Sequence, residues 1–297
     1  TIFMPIVASF FALGLLLGVG GGVLMSVAKG SGNESLAHKY FSTAMISAAV
    51  VSVCFAVFGA IFFDPMMYAL GADTTNIELV RGYGLCYTVS APLFIFSSSL
   101  QSFIRNDKSP RHAMIAVLTG SGLNILLDYL FIFVFKMGMF GASFATSIGT
   151  SITVCILVIH FFTKKNTMRF SFRFFSIKAL WEIAKCGFSS FLIECANAVL
   201  VFVFNHTLLK YIGSVGVTVY SIMSNVAVVC MSLFNGVTLA AQPIIATNHG
   251  ADNHKRVLQV RHIGTITSSV IAVIIFCVGF FFPDLLIYSY VKGPTPE

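Results

Sequence analysis

Residues 113–135 read AMIAVLTGSGLNILLDYLFIFVF, a run whose one charged residue is Asp128. About 20 apolar residues in a row are enough for a helix to cross the hydrocarbon core of a bilayer. The rest of the chain repeats the pattern. Uncharged or nearly uncharged runs occupy 1–28, 41–63, 82–104, 137–163, 186–209, 211–248 and 263–283, and only 186–209 holds a carboxylate, Glu194. The strands of a membrane barrel alternate over about ten residues. No such alternation appears between 183 and 209, so these runs are helices. Of the 297 residues, 57% are hydrophobic and 10% charged, and the mean hydropathy is +0.90. Soluble domains carry about 25% charged residues. A water-soluble enzyme is therefore excluded, and an all-α polytopic membrane protein of eight spans is expected.

The basic residues set the orientation. Alternate loops, 29–40, 105–112, 164–185 and 249–262, hold every Lys and Arg except Arg81, Lys136, Lys210 and Lys292. Positive charge stays on the cytoplasmic side, so these four loops are expected to be cytoplasmic in a multi-pass protein of the inner (plasma) membrane. The same asymmetry accounts for the net charge of +7 without a nucleic-acid partner. The first span then runs from outside to inside, and residue 1 is Thr. One further span is expected before it.

A shift of 220 residues lays the first part of the chain on the last without a gap. Gly30-Ser31-Gly32-Asn33 falls on Gly250-Ala251-Asp252-Asn253. Ile46, Val50, Val53 and Gly59 fall on Ile266, Val270, Val273 and Gly279, and Phe62, Asp64 and Tyr68 fall on Phe282, Asp284 and Tyr288. Both copies keep one membrane orientation, which makes this a parallel repeat, an arrangement found in secondary transporters. The expected architecture is a two-lobe helical bundle. Residues 1–163 form an N-terminal lobe lacking its first helix, 164–178 a cytoplasmic linker, and 179–297 the first part of a C-terminal lobe. Residues 176–185 read as a short amphipathic helix in the interface, anchored by Trp181, the single Trp. The alternative is that they simply extend the sixth span.

Chemistry is concentrated in a few polar residues. A carboxylate at the bilayer centre costs about 2.5–3.5 kcal/mol on insertion scales and usually marks an ion or substrate path. Asn124 stands one turn before Asp128, and Asn197 three residues after Glu194. A carboxylate in a dry pocket takes up a proton more readily, and carboxylate, amide and hydroxyl oxygens together suit a hard cation. Either use couples an ion gradient to conformation. The competing account is an interhelical hydrogen bond that only holds the bundle. Gln101, Asn225 and Gln242 are further polar span residues and candidates to line a substrate cavity. The seven cysteines lack metal-pair or redox spacing, no HExxH occurs, and no cofactor or enzymatic site is expected. The glycines at 14, 18 and 20–22 lack the strand and the Lys-Ser/Thr ending of a phosphate loop. They are expected to let helices approach closely. Pro92 and Pro243 are expected to bend their helices.

The segment Gly122-Leu-Asn-Ile-Leu-Leu-Asp-Tyr-Leu-Phe-Ile-Phe133, followed by Met137-Gly-Met-Phe-Gly-Ala-Ser-Phe-Ala-Thr146, resembles the fifth-to-sixth helix signature of the multidrug and toxic-compound extrusion (MATE) family. Gly20-Gly-Gly-Val-Leu-Met-Ser26 with Gly30-Ser-Gly-Asn33, and Ala241-Gln-Pro-Ile-Ile-Ala-Thr-Asn-His-Gly250, resemble its second and eighth helices. The likeness covers nearly the whole chain and is closest to bacterial, staphylococcal-efflux-like members. It implies a twelve-helix antiporter exporting cationic, lipophilic drugs or metabolites against H⁺ or Na⁺ by alternating access, with eight of its helices present here. It also implies that Asn124, Asp128 and Thr146 form a cation-linked network and that Glu194 is the acidic residue opening the second lobe. With four of the implied spans absent, these residues alone are expected not to transport. A lipid-linked or polysaccharide flippase of the same superfamily is the alternative, though no Lys or Arg lies mid-span as a basic cavity would need. A non-transporting membrane fragment is another.

Overall fold

The computed structural model describes residues 4–69, 77–211 and 214–281, which are mainly helical, with a largely non-helical segment at 163–176 and no strand among them. In chain order the helices are α1 (Met4–Gly30), α2 (Glu34–Ile61), α3 (Phe63–Ala69), α4 (Ile77–Val89), α5 (Ala91–Asn106), α6 (Pro110–Tyr129), α7 (Gly138–Ile159), α8 (Ile177–Tyr211), α9 (Ser214–Gly250) and α10 (His254–Phe281). Seven are long and apolar enough to cross a membrane by length and composition. The other expected span, 82–104, is broken at Ser90 into α4 and α5. Pro92 therefore sits in the first turn of α5, where its missing N–H costs nothing, and does not bend a continuous helix. Pro243 does lie inside α9. Residues 177–185 are continuous with α8, so the separate interfacial helix is replaced by its alternative, an extended sixth span.

The chain divides into two compact units, Thr1–Ala198 and Val199–Glu297. In the first, α1 packs between α5, α2 and the start of α8. Its glycines explain why. A Cβ on Gly18 would meet Ser99 Cα at 2.7 Å, and one on Gly20 would meet the Ile183 carbonyl oxygen at 2.3 Å. From α8, a Cβ on Gly187 would meet the Leu16 carbonyl oxygen at 2.0 Å. Association in lipid rests on close packing rather than on expulsion of water, and backbones this near leave no room for a side chain. Phe10, Phe41, Met25, Phe103, Ile95 and Ile183 fill the interior around them. Large side chains on α6 such as Leu118 and Ile125 point outward, as an apolar solvent permits.

In the second unit, α9 and α10 pack side by side, joined by a three-residue turn. The repeat is visible here in backbone detail. Gly32 has φ +77° and Asp252, its partner at a shift of 220, has φ +56°. Asn33 N–H donates to Ala28 O at 2.9 Å, and Asn253 N–H to Asn248 O at 2.9 Å. The Asn33 side chain accepts from Leu36 N at 3.0 Å, and that of Asn253 from Arg256 N at 3.2 Å. Each is the N-cap expected of an Asn at a helix start, and α2 and α10 begin 220 residues apart, at Glu34 and His254. The repeat partners Phe282, Asp284 and Tyr288 lie outside the described residues.

The α1–α8 contact gives a direct test. Gly187→Val is expected to lower stability by about 2 kcal/mol or more, the upper part of the overpacking range. Gly122→Ala, where nothing lies within 4 Å, should be neutral or slightly stabilising. Thermal unfolding of both variants in detergent checks this.

Candidate functional site

The contact of α6 with α7 builds the first candidate site. A Cβ on Gly120 would meet Thr153 Oγ1 at 1.8 Å, and one on Gly149 would meet the Gly120 carbonyl oxygen at 2.8 Å and Asn124 Cβ at 2.9 Å. This closeness places Asn124 Nδ2 3.4 Å from Thr146 Oγ1, to which it donates a long hydrogen bond. Thr146 in turn donates to Ala142 O at 2.9 Å, within its own helix. Asp128 lies one turn further along α6, half-buried. Its Oδ1 is fully buried and, among the described residues, has no hydrogen-bond partner. A buried polar atom without a partner costs roughly 1–3 kcal/mol. Among the described residues no group of three His, Cys, Asp or Glu side chains is placed to hold a metal ion. The oxygens at hand are of carboxylate, amide and hydroxyl type.

The other candidates lie on other helices. On α8, Glu194 is half-buried and Asn197 exposed. Gln101, half-buried on α5, donates to Ser97 Oγ at 3.1 Å. Asn225 is exposed on α9. Gln242 lines a groove of about 580 Å³ between α9 and α10, together with Thr238, Arg261, Thr265 and Ser268. A groove of about 730 Å³ between α4, α5 and α7 is lined mainly by apolar side chains such as Leu85, Val89 and Phe144, with Glu78 and Arg81 also on its wall. None of the sequence-predicted residues lines it.

A further polar centre in the first unit is better connected than any of these. Asp107, in the turn between α5 and α6, is 2% exposed. Lys29 Nζ, at the end of α1, donates to its Oδ1 at 2.5 Å. Thr167 Oγ1 donates to the same oxygen, and the Thr167 N–H to Oδ2 at 3.0 Å. His160 Nε2, just past α7, lies 2.9 Å from Oδ2. Beside it Ser26 Oγ donates to Asn106 Oδ1 at 2.8 Å. One carboxylate thus gathers the end of α1, the α5–α6 turn, the end of α7 and the segment after it. It also shows that three of the basic loops lie at one end of the unit. Burial alone would raise the Asp107 pKa, but the hydrogen bonds from Lys29, Thr167 and His160 outweigh it and hold the group below the ordinary carboxylate value.

Residues 1–130 and 186–295 match the model of the MatE family. The chain belongs to the MatE family. Its members are transporters, not enzymes. Among curated relatives, the multidrug export protein MepA of Staphylococcus haemolyticus is 29% identical over 82% of this chain and 54% of its own length. MepA of Staphylococcus saprophyticus is 29% identical over 84% of this chain and 55% of its own. The chain spans about half the length of these relatives. Solved structures of similar fold include a MATE protein in a bent conformation (TM-score 0.84, 22% identity, 98% of this chain and 66% of that one). A MOP-superfamily transporter from Pyrococcus furiosus matches with TM-score 0.88 at 21% identity, over 99% of this chain and 66% of that one.

The MatE match leaves out 131–185, which holds α7 and the segment that Asp107 pins. Sequence reasoning missed Asp107 because it counted acidic residues inside apolar runs, and Asp107 stands in a charged turn next to Lys108. The one available signal was that it is the lone acid in the basic loop 105–112.

Since the folded-state pKa of Asp107 is depressed, its stabilisation is present above the unfolded value of about 3.9 and is lost as pH falls through the folded value. Asp107→Ala, which strands Lys29 beside a buried His160, is expected to cost about 3 kcal/mol or more. Unfolding midpoints of wild type and variant between neutral pH and pH ~3 test both points: the gap between them should narrow only at the acid end.

Proposed function

We propose that this chain is part of an ion-coupled antiporter that exports cationic, lipophilic compounds by alternating access, with H⁺ or Na⁺ as the coupling ion and Asp128 as the coupling carboxylate of its first unit. The observation that carries this reading is the buried Asp128 oxygen without a partner, beside an amide and a hydroxyl drawn together at the α6–α7 crossing. A proton satisfies that oxygen by making it a donor, and a small hard cation satisfies it by coordination. Either one changes the cost of keeping a carboxylate out of water. The cost of one helix arrangement relative to another then depends on occupancy, which is what coupling requires. Glu194 is the matching acid in the chain's later part, with Asn197 three residues on. Gln242, on the wall of a groove carrying several hydroxyls, and Gln101 and Asn225 are the candidates to meet substrate.

The MepA relatives are named for multidrug export, which supports small-molecule cargo. Export of lipophilic cations fits a chain whose spans carry aromatic side chains and no basic residue at mid-span, since aromatic faces attract cations. That same lack of mid-span charge disfavours a flippase for anionic lipid-linked sugars. The basic loops, by the charge rule, face the cytoplasm of the inner membrane.

In the full-length protein, Asp128→Asn and Glu194→Gln are each expected to reduce gradient-driven dye efflux at least tenfold while the protein still reaches the membrane. Efflux assays with ethidium-type dyes, alongside quantification of membrane protein, provide the check. Undiminished efflux in both variants contradicts the assignment.

A further inference from the structure

The segment that follows α7 combines two features that are rarely placed together on a water-facing loop. Between 164 and 185 stand Lys164, Lys165, Arg169, Arg173, Lys178 and Lys185, against a single acid, Glu182. All six cations are exposed, and among the described residues none of them makes an ion pair. Glu182 makes no ion pair with any of them among the described residues; its carboxylate accepts from Tyr40 OH at 2.6 Å, and it offsets at most one of the six charges. Interleaved with these charges, Phe162 is 86% exposed, Phe172 77%, Ile177 73% and Trp181 64%.

This exposure is built in. The backbone of the segment is stitched to α2 and to the α5–α6 turn. Ser42 Oγ donates to Arg169 O at 3.3 Å and accepts from Ser171 N at 3.2 Å. Thr43 Oγ1 donates to Phe174 O at 3.3 Å and accepts from Ser176 N at 3.2 Å. Thr167 is bound to Asp107, and Met168 is buried. With one face of the strap pinned, the side chains of Arg169, Phe172 and Arg173 are presented on the other. Lys185 Nζ lies 5.3 Å from the centroid of the Trp181 ring, so a cation and an indole form one joint surface at the start of α8.

Aromatic rings beside exposed cations match one environment, the headgroup layer of an anionic bilayer. There the rings sit at the acyl boundary and the cations meet phosphate. We propose that the 162–185 strap is a binding surface for anionic glycerophospholipid headgroups, in the leaflet on the side of the basic loops, and that Trp181 and Phe172 seat it in that leaflet. The six unopposed cations supply the charge complementarity. Each basic residue near such a surface favours association roughly fivefold, so the lipids next to the strap are enriched in anionic species. This holds for either direction of transport, or for none.

Trp181 is the single Trp of these 297 residues, and any Trp of the full-length protein beyond them is replaced by Phe, which makes the test direct. The chain is reconstituted in bilayers of phosphatidylcholine with phosphatidylglycerol as a minor component, brominated near the headgroup end of the acyl chains on one lipid or the other. Bromolipids quench a nearby indole. Quenching of Trp181 by brominated phosphatidylglycerol is expected to exceed its mole-fraction share several-fold. The excess should fall toward that share in Lys165→Gln/Arg169→Gln/Arg173→Gln. In the unaltered chain it should also fall as salt rises from about 0.1 M to 1 M, which shortens the screening length from about 10 Å to about 3 Å. The salt series needs no variant to fold. Quenching in proportion to mole fraction at low salt overturns the proposal, as does an excess that neither salt nor the triple variant reduces. So does the absence of quenching by either lipid, which would mean that protein covers Trp181.

Discussion

Hydrocarbon donates and accepts no hydrogen bonds, and most features of this chain follow from that one constraint. Each backbone group at membrane depth must find its partner within the protein, which leaves helices or a closed barrel, and the sequence lacks a barrel's alternation. Hydroxyls on α7 meet the same demand locally: Thr146, Ser147, Thr150, Ser151 and Thr153 each donate to the carbonyl four residues back. Since burial of apolar surface gives no advantage in lipid, helices associate where backbones can touch. The glycines of α1, α6, α7 and α8 mark those places. Against this background, among the described residues Asp128 Oδ1 is the one buried carboxylate oxygen without a partner; the other unpartnered buried side-chain atoms are the hydroxyls of Ser47, Ser102 and Ser109.

The first unit treats Asp107 and Asp128 in opposite ways. Asp107 is surrounded by a cation, an imidazole, a hydroxyl and a backbone N–H, and is fixed as an anion. It ties four chain segments together at one end of the unit and pins the strap whose other face carries the exposed rings and charges. Asp128 has an amide and a hydroxyl nearby but no donor on its buried oxygen. A group held in one charge state suits a structural tie. A carboxylate whose buried oxygen has no donor is what the coupling role proposed above rests on. The contrast is read from hydrogen-bond partners and does not depend on burial alone, since both lie out of bulk water to some degree.

Much of the fold was legible in the sequence because the lipid requirement is written at low resolution. Long uncharged runs, the alternation of basic loops and the register of 220 residues needed no knowledge of side-chain contacts. The register also pairs the residues in which the structure shows left-handed turns, Gly32 with Asp252, and helix caps, Asn33 with Asn253. Hydropathy could not show the break at Ser90, because α4 and α5 are both apolar and the break is a backbone event beside Pro92. It also could not decide whether 177–185 stands apart from α8, since an amphipathic turn and a span extension share one composition. Of the candidate site, the meeting of Asn124 with Thr146 followed from a resemblance and not from spacing, because they lie on different helices. Asp107 escaped notice because its partners Lys29, His160 and Thr167 are between 53 and 78 residues away along the chain. Contacts over that distance leave no local pattern.

The central claim, that occupancy of Asp128 by H⁺ or Na⁺ is exchanged against substrate, is tested most directly by calorimetric titration of a lipophilic cation into the purified full-length protein at several pH values and Na⁺ concentrations. The account predicts that binding expels a proton or Na⁺, so that substrate affinity falls as the competing ion rises, and that Asp128→Asn loses this dependence. Affinity that stays constant across pH and Na⁺ in the unaltered protein would contradict it.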